Sequence, residues 1–222
     1  MDLPGFGTPF GLAFASGLNA YLPLLAYSIS VRWLNLYKVN PNFAFITQNW
    51  FIALLVVLTI LDFVADKIPV VDHIWGAIHT VVRPIAGAVV AAAASSHYLS
   101  GSPGISLISP HFFPAAGTAL APLSTTSIAS AVIPVTGVVL LVIILIGGAL
   151  AAISHITKST TRVFSTIATL GFFNIGLSVI EDILVVIFIL LSLFASAIML
   201  ILLVVIVLFL VPKLVRSPRN RR

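Results

Sequence analysis

The chain has no cysteine and very little charge. Of its 222 residues, only 6 are Asp or Glu and 11 are Lys or Arg. Because no cysteine is present to supply a thiolate, the chain cannot form disulfides, cysteine-ligated iron–sulfur clusters or cysteine-ligated zinc sites. Charged residues make up 8% of the chain, against about 25% in soluble proteins. There is also no Walker loop, HExxH pair, GxSxG elbow or Rossmann glycine fingerprint, so nucleotide hydrolysis, zinc proteolysis and hydrolase chemistry have no support.

Hydrophobic residues make up 60% of the sequence and lie in long runs. No Asp, Glu, Lys or Arg occurs between Arg83 and Lys158, or between Asp182 and Lys213. A stretch of about 20 apolar residues is long enough to cross a bilayer core of ~30 Å as a helix. The sequence therefore predicts an integral membrane protein, an all-α helix bundle surrounded by the lipid bilayer.

The apolar runs predict six transmembrane spans in one domain, residues 1–212, followed by a basic cytoplasmic tail, residues 213–222. The spans are placed at Pro9–Val31, Trp50–Ala65, Pro84–Tyr98, Val132–Ile153, Leu170–Leu191 and Ser192–Val211. Five spans are the alternative, because Ile183–Pro212 could be one tilted helix. Val70–Arg83 is either an interfacial helix or a continuation of the third span. The uncharged segment Ser100–Ser130 is either a re-entrant hairpin or an external loop.

The distribution of basic residues predicts the orientation. With six spans and a cytoplasmic tail, Arg32 and Lys38 lie outside, and the other nine of the 11 Lys and Arg residues lie inside. If the last two spans are merged into one, fewer of the Lys and Arg residues lie on the inside. The positive-inside rule therefore predicts a multi-pass protein of the inner (plasma) membrane with both termini cytoplasmic. The tail is expected to contact anionic lipid headgroups, and nucleic-acid binding is not expected.

Two stretches of small residues resemble each other. Gly11–Asn19 in the first span and Gly148–His155 in the fourth are each followed by a span that carries a carboxylate pair. Three spans per half would give the halves opposite orientations, an inverted 3+3 repeat of the kind found in transporters. Small residues four apart, as in Gly87/Ala91 and Gly147/Ala151, also predict closely packed helices.

Polar residues form four stripes on the predicted helices. At about 100° per residue, Asp62 and Asp66 share one face. The other stripes are Asp72, His79 and Arg83; His155, Lys158 and Arg162; and Asn174, Ser178, Glu181 and Asp182. Because unpaired charges are costly at membrane depth, acidic stripes should pair with basic ones. The expected pairs are Glu181 or Asp182 with Lys158 or Arg162, and Asp62 or Asp66 with Arg83.

One string of residues is long enough to be specific. It runs Asp66-Lys67-Ile68-Pro69, then Asp72, His79, Arg83-Pro84 and Gly87, and is followed by His155, Lys158, Arg162 and Glu181-Asp182. The string resembles the membrane family catalogued as domain of unknown function 4126, over nearly the whole chain. The resemblance implies a small polytopic membrane protein and marks these positions as the family's motif. Two positions depart from the pattern: Asp62 stands where Glu is expected, and Ala195 stands where a turn proline is expected.

The motif predicts a binding site. Its members are Asp62, Asp66, Lys67, Asp72, His79, Arg83, His155, Lys158, Arg162, Glu181 and Asp182. Our preferred interpretation is a small transporter or channel, rather than an enzyme, whose polar site lies on the cytoplasmic side and binds a small ion or an anionic ligand. No catalytic residue, metal ligand or cofactor is assigned, and the sequence does not specify an oligomer.

Two alternatives remain. The first is an enzyme that modifies lipid phosphates, with Mg²⁺ on Asp62 and Asp66 and the phosphate on the basic residues Arg83, Lys158 and Arg162. The second is a structural or assembly protein in which the charges only hold helices together.

Overall fold

The computed structural model of the chain describes residues 6–66, 69–95, 135–169 and 174–216. Every regular element in these ranges is a helix, as predicted. The elements are α1 (Gly7–Ser16), α2 (Leu22–Arg32), a 3₁₀ helix (Pro41–Thr47), α3 (Asn49–Ala65), α4 (Pro69–Ala93), α5 (Val135–Thr169), α6 (Asn174–Phe194) and α7 (Ser196–Arg216).

The described helices differ in whether they are long and apolar enough to cross a membrane. Three are long and apolar enough by length and composition, over Trp75–Ala93 in α4, Gly137–Ser165 in α5 and Gly176–Phe194 in α6. Asn49–Ala65 and Ser196–Pro212 are shorter apolar helices. A membrane helix bundle is therefore confirmed as the fold class, and the number of spans stays a prediction.

The first apolar segment is a pair of helices rather than the single span expected over Pro9–Val31. Helix α1 ends at Ser16 and α2 begins at Leu22. The Asn19 side chain stabilises the turn before α2, because its Oδ1 accepts hydrogen bonds from the backbone N–H groups of Tyr21 and Leu22 at 3.1 and 2.9 Å. Satisfying these two donors allows the chain to break inside an apolar run.

Contacts show that α1 and α2 form a hairpin. In the first turn of α1, the Thr8 hydroxyl donates to the Ser192 carbonyl at 2.7 Å. A few residues after α2 ends, the Tyr37 hydroxyl donates to the Leu193 carbonyl. Both ends therefore lie beside the end of α6, which we call the base end of the bundle. Helices of 10 and 11 residues are each about 15 Å long, half of the thickness of a ~30 Å bilayer core, so neither is long enough to cross it alone.

Helices α4 and α5 pack through small residues. A Cβ added to Gly87 would lie 2.5 Å from the Ala151 Cβ, and one added to Gly147 would lie 2.5 Å from the Ala91 Cβ. The close packing predicted from these spacings is confirmed. The two helices run antiparallel, so Arg83 and His155, which lie one turn from Gly87 and Ala151, are also side by side.

Two other boundaries are resolved by the structure. Helix α4 is continuous through Pro84, so Val70–Arg83 continues the third span and does not form a separate interfacial helix. Helices α6 and α7 are separated at Ala195, so Ile183–Pro212 is not one tilted helix.

Helix α7 folds back along the hairpin. Gly7 packs on Ser196, and Gly11 packs on Met199, so α7 runs parallel to α1, away from the base end, and finishes at Arg216. The first and last described residues therefore lie at opposite ends of the bundle. Helix α7 also extends past the predicted boundary at residue 212.

Some predictions fall outside the described residues. They concern Lys67, the segment Ser100–Ser130, the first five residues and the tail beyond Arg216. The backbone of Asp72 lies in α4, but its side chain is not among those described. Expectations for these positions stay predictions.

Candidate functional site

Some members of each of the four predicted stripes meet in one place, at the inner turn of the hairpin, Gly17–Tyr21, which we call the tip. The side chains come from four helices, α3 to α6. They are Asp62, Asp66, His79, Arg83, His155, Lys158, Arg162 and Glu181, and we call them the charged cluster. All are buried except Asp66 and Arg162, which are half-buried. The cluster contains three Asp or Glu side chains and three Lys or Arg side chains, so its formal charge is zero when both histidines are neutral.

Asp66 lies at the centre of the ion-pair network, just after α3 ends. Its Oδ2 accepts hydrogen bonds from Lys158 Nζ at 2.6 Å and from Arg162 Nη2 at 3.1 Å. Its Oδ1 lies 4.0 Å from Arg83 Nη2. The predicted pairing of the second span with Arg83 is therefore present, and Asp66 also ties α3 to α5.

Glu181 connects α6 to the same network. Its Oε2 accepts a hydrogen bond from Arg162 Nη2 at 2.7 Å and lies 3.3 Å from Lys158 Nζ. The expected pairing of α6 with α5 is thus found, with Glu181 as the partner of both cations. Asp182, the next residue, is half-buried.

The hairpin tip contributes backbone carbonyls to the charged cluster. Arg83 Nη1 donates to the Gly17 carbonyl at 3.3 Å, and Lys158 Nζ donates to the Leu18 carbonyl at 2.9 Å. These carbonyls follow the end of α1, where intrahelical partners run out and the negative end of the helix dipole favours cations. Each cation therefore links a carboxylate to the tip.

Asp62 and His79 form the part of the cluster nearest Trp75. Asp62 Oδ1 accepts a hydrogen bond from Trp75 Nε1 at 2.9 Å, and it lies 3.4 Å from His79 Nε2 and 3.6 Å from Arg83 Nη2. His79 Nδ1 lies 2.8 Å from the Trp75 carbonyl. Within the described residues, three buried atoms here have no hydrogen-bond partner: Asp62 Oδ2, His79 Nε2 and Arg83 Nε.

His155 is held in a neutral form by its contacts. Arg83 Nη1 lies 3.1 Å from His155 Nδ1, and because a guanidinium only donates, Nδ1 is the acceptor. The proton is then on Nε2, which lies 3.3 Å from Thr80 Oγ1. The Thr80 hydroxyl in turn donates to the Gly76 carbonyl at 3.0 Å. A single tautomer satisfies every one of these contacts.

The sequence analysis did not identify the tip carbonyls of Gly17 and Leu18, or the indole of Trp75, as parts of the site. The sequence does contain a signal for the tip. Gly17 and Asn19 are residue types typical of turns, and Pro23 is typical of a helix start. Nothing in the sequence pattern distinguishes Trp75 from an interfacial tryptophan.

The charged side chains of the cluster are paired with one another, and this pairing limits what the cluster can bind. In the parts of the chain that the structure describes, no group of three or more His, Asp or Glu residues is placed to hold a metal ion. The carboxylates of Asp66 and Glu181 already face cations. The cations Arg83, Lys158 and Arg162 supply several N–H donors, which an anion or a carboxylate can share.

Comparison with protein families gives one match. The model of the family described as domain of unknown function (DUF4126) matches residues 7–109 and 104–216. The chain belongs to this family. Every residue of the charged cluster lies within the DUF4126 matches, so the resemblance based on the motif is confirmed. Comparison with curated proteins and with solved structures gave no match. The DUF4126 description states no activity, so the function has to be inferred from the geometry.

Proposed function

We propose that the protein is a small transporter or channel of the inner (plasma) membrane, with the charged cluster as its polar site. The supporting observation is the hairpin of two short helices, whose tip carbonyls are bound by the buried cations Arg83 and Lys158. Interrupted helices whose ends face a buried polar site are typical of secondary transporters. Non-helical backbone at membrane depth occurs where it is buried in protein or lines a cavity.

The ligand class follows from the charges. In each ion pair, a ligand can take the place of either partner. A small anion or an anionic headgroup can replace the carboxylate that contacts Lys158 or Arg83, and a small cation or a proton can replace the cation that contacts Asp66. Either exchange also loosens the hold on the tip, because Lys158 binds both Asp66 and the Leu18 carbonyl. Ligand binding and hairpin position are coupled in this proposal.

The orientation follows from the basic tail. We propose that the end of α7 is cytoplasmic and that residues 213–222 contact anionic headgroups, because five basic residues lie there. The prediction that both termini are cytoplasmic is untested. The hairpin favours opposite sides, since Gly7 lies at the base end and α7 leaves it. The inverted 3+3 repeat also stays a hypothesis, and the uninterrupted α5 offers no counterpart to the hairpin.

The two alternatives receive less support. A Mg²⁺-dependent lipid-phosphate enzyme would have to release Asp66 from Lys158 and Arg162 before a metal could bind its Oδ2. A purely structural protein would need the ion pairs, but it would not need carbonyls at an interrupted helix to take part in them. Each alternative predicts a different result in the experiment described next.

The test is flux through the purified full chain in proteoliposomes. The probes are protons, K⁺, chloride and inorganic phosphate, each followed with its own indicator. We expect flux of at least one probe, and we expect Arg83→Gln and Lys158→Gln to abolish it while the variants stay folded in detergent. The matched controls are Arg32→Gln and Lys38→Gln, which remove exposed basic residues outside the cluster and should keep full flux.

Two results would overturn the proposal. No flux of any probe, with cluster variants that lose only thermal stability, would favour the structural role. Mg²⁺-dependent turnover of a lipid phosphate without flux would favour the enzyme.

A further inference from the structure

Two hydrogen-bond acceptors face each other at the centre of the charged cluster. His79 Nδ1 lies 2.8 Å from the Trp75 carbonyl, and since a carbonyl only accepts, Nδ1 carries a proton. In a neutral ring, Nε2 then presents a lone pair. This lone pair lies 3.4 Å from Asp62 Oδ1, which is a carboxylate acceptor when ionised. The side chains are 0% and 1% exposed, so water does not reach between them.

Without a further proton this arrangement is unfavourable. Asp62 Oδ2 and His79 Nε2 are both buried without a hydrogen-bond partner, and leaving a buried polar group without a hydrogen bond is unfavourable. One proton placed between Nε2 and the carboxylate removes the repulsion and makes a charge-assisted hydrogen bond.

We propose that Asp62 and His79 together bind one exchangeable proton, and that this proton is the coupling ion of the protein. The second clause rests on the proposed transport function; the first does not. Binding takes a proton from water on the cytoplasmic side and places it on His79 Nε2, facing Asp62. Release returns it to water, with no other bond made or broken.

Opposing charges make the binding reversible. The Asp62 carboxylate attracts the proton, while the Arg83 guanidinium, 3.6 Å from Asp62 Oδ1, repels it, and burial disfavours an added charge in a cluster that is otherwise neutral. His155 takes no part, because its Nδ1 already accepts from Arg83. The groups around His79 are Asp62 and Asp66 from α3, Tyr21 from the tip, Trp75 and Arg83 from α4, and His155 from α5.

Trp75 supplies a direct signal for this proton. Its ring centroid lies 4.9 Å from that of His79, close enough for a protonated imidazole to quench its fluorescence. The chain has only 3 tryptophans, and the other two, Trp33 and Trp50, are 59% and 63% exposed. A Trp33→Phe/Trp50→Phe protein therefore reports on Trp75 alone.

The experiment is a pH titration of this full-length protein in detergent, by Trp75 fluorescence and by NMR of ¹⁵N-labelled histidine. We expect one fluorescence transition between about pH 5 and pH 9, accompanied by protonation of one imidazole nitrogen. His79→Gln should abolish the transition. Asp62→Asn should move its midpoint down by about one pH unit or more, because the attracting charge is gone. Arg32→Gln, at an exposed position outside the charged cluster, should retain it.

The outcomes are decisive in both directions. A signal that is unchanged from pH 5 to pH 9, or a transition that survives His79→Gln, would overturn the proton site. If His79→Gln does not fold, the direction of the Asp62→Asn shift decides, and an unmoved midpoint overturns the site. A His79-dependent transition without proton flux in proteoliposomes would leave the proton site standing and remove its coupling role. Flux without the transition would leave the transporter standing and remove the proton site.

Discussion

The Lys158 ammonium lies 2.6 Å from the Asp66 carboxylate at a point where the ion pair also holds the backbone of the hairpin tip. The contact joins α3, α5 and the α1–α2 hairpin through two side chains. Removing either partner leaves a buried charge and releases the tip, so stability and hairpin position should change together.

Asp66→Asn should be strongly destabilising. The substitution removes one of the two carboxylates that Lys158 and Arg162 share, the other being Glu181, and breaking a buried pair costs about 3–5 kcal/mol. The measurement is the free energy of unfolding in mixed detergent. In Asp66→Asn/Lys158→Gln, we expect a loss smaller than the sum of the single losses by about 0.5–3 kcal/mol. Additive losses would show that the two side chains do not interact.

The pair between α5 and α6 should survive exchange of its charges. Arg162 Nη2 lies 2.7 Å from Glu181 Oε2, so Glu181→Arg alone places like charges together, and Arg162→Glu alone does the same with Asp66. In the double variant one ion pair is restored, and its melting temperature should exceed that of either single variant. A double variant no more stable than Glu181→Arg would contradict the pairing.

Close approach of α4 and α5 should make Gly87 intolerant of a side chain. In Gly87→Ala the new methyl group would lie 2.5 Å from the Ala151 Cβ and 3.0 Å from the Gly147 carbonyl, and such overpacking costs about 1–3 kcal/mol. The matched control is Gly76→Ala on the same helix, where nothing lies within 4 Å of the added Cβ. Since Ala favours helix over Gly, the control should be neutral or stabilising. Equal melting temperatures for the two variants would show that the helices do not touch there.

Much of the cluster could be predicted because polar residues on apolar helices must face inward. Helical spacing aligned Lys158 and Arg162, and opposite charge predicted Glu181 or Asp182 as their partner, of which Glu181 is the one found. The pairing of Asp66 with the same two cations was not predicted, because the sequence paired Asp62 or Asp66 only with Arg83. The hairpin could not be predicted in the same way. A hairpin of two short helices and a full span have the same apolar composition, and they differ only in tertiary contacts such as Tyr37 with Leu193.

The hairpin predicts an unusual topology that single-cysteine labelling can measure. The chain has no cysteine of its own, so Phe6→Cys, Lys38→Cys and Arg216→Cys each carry one reactive thiol. Both hairpin ends lie at the base end, so the first two variants should react with a membrane-impermeant maleimide from the same side of sealed cells. Arg216→Cys, at the end of α7, should react from the other side, and all three should react after permeabilisation. Labelling of Phe6→Cys and Lys38→Cys from opposite sides would mean that the first segment crosses the membrane as one span, and both the hairpin and its tip carbonyls would then have to be abandoned as parts of the site.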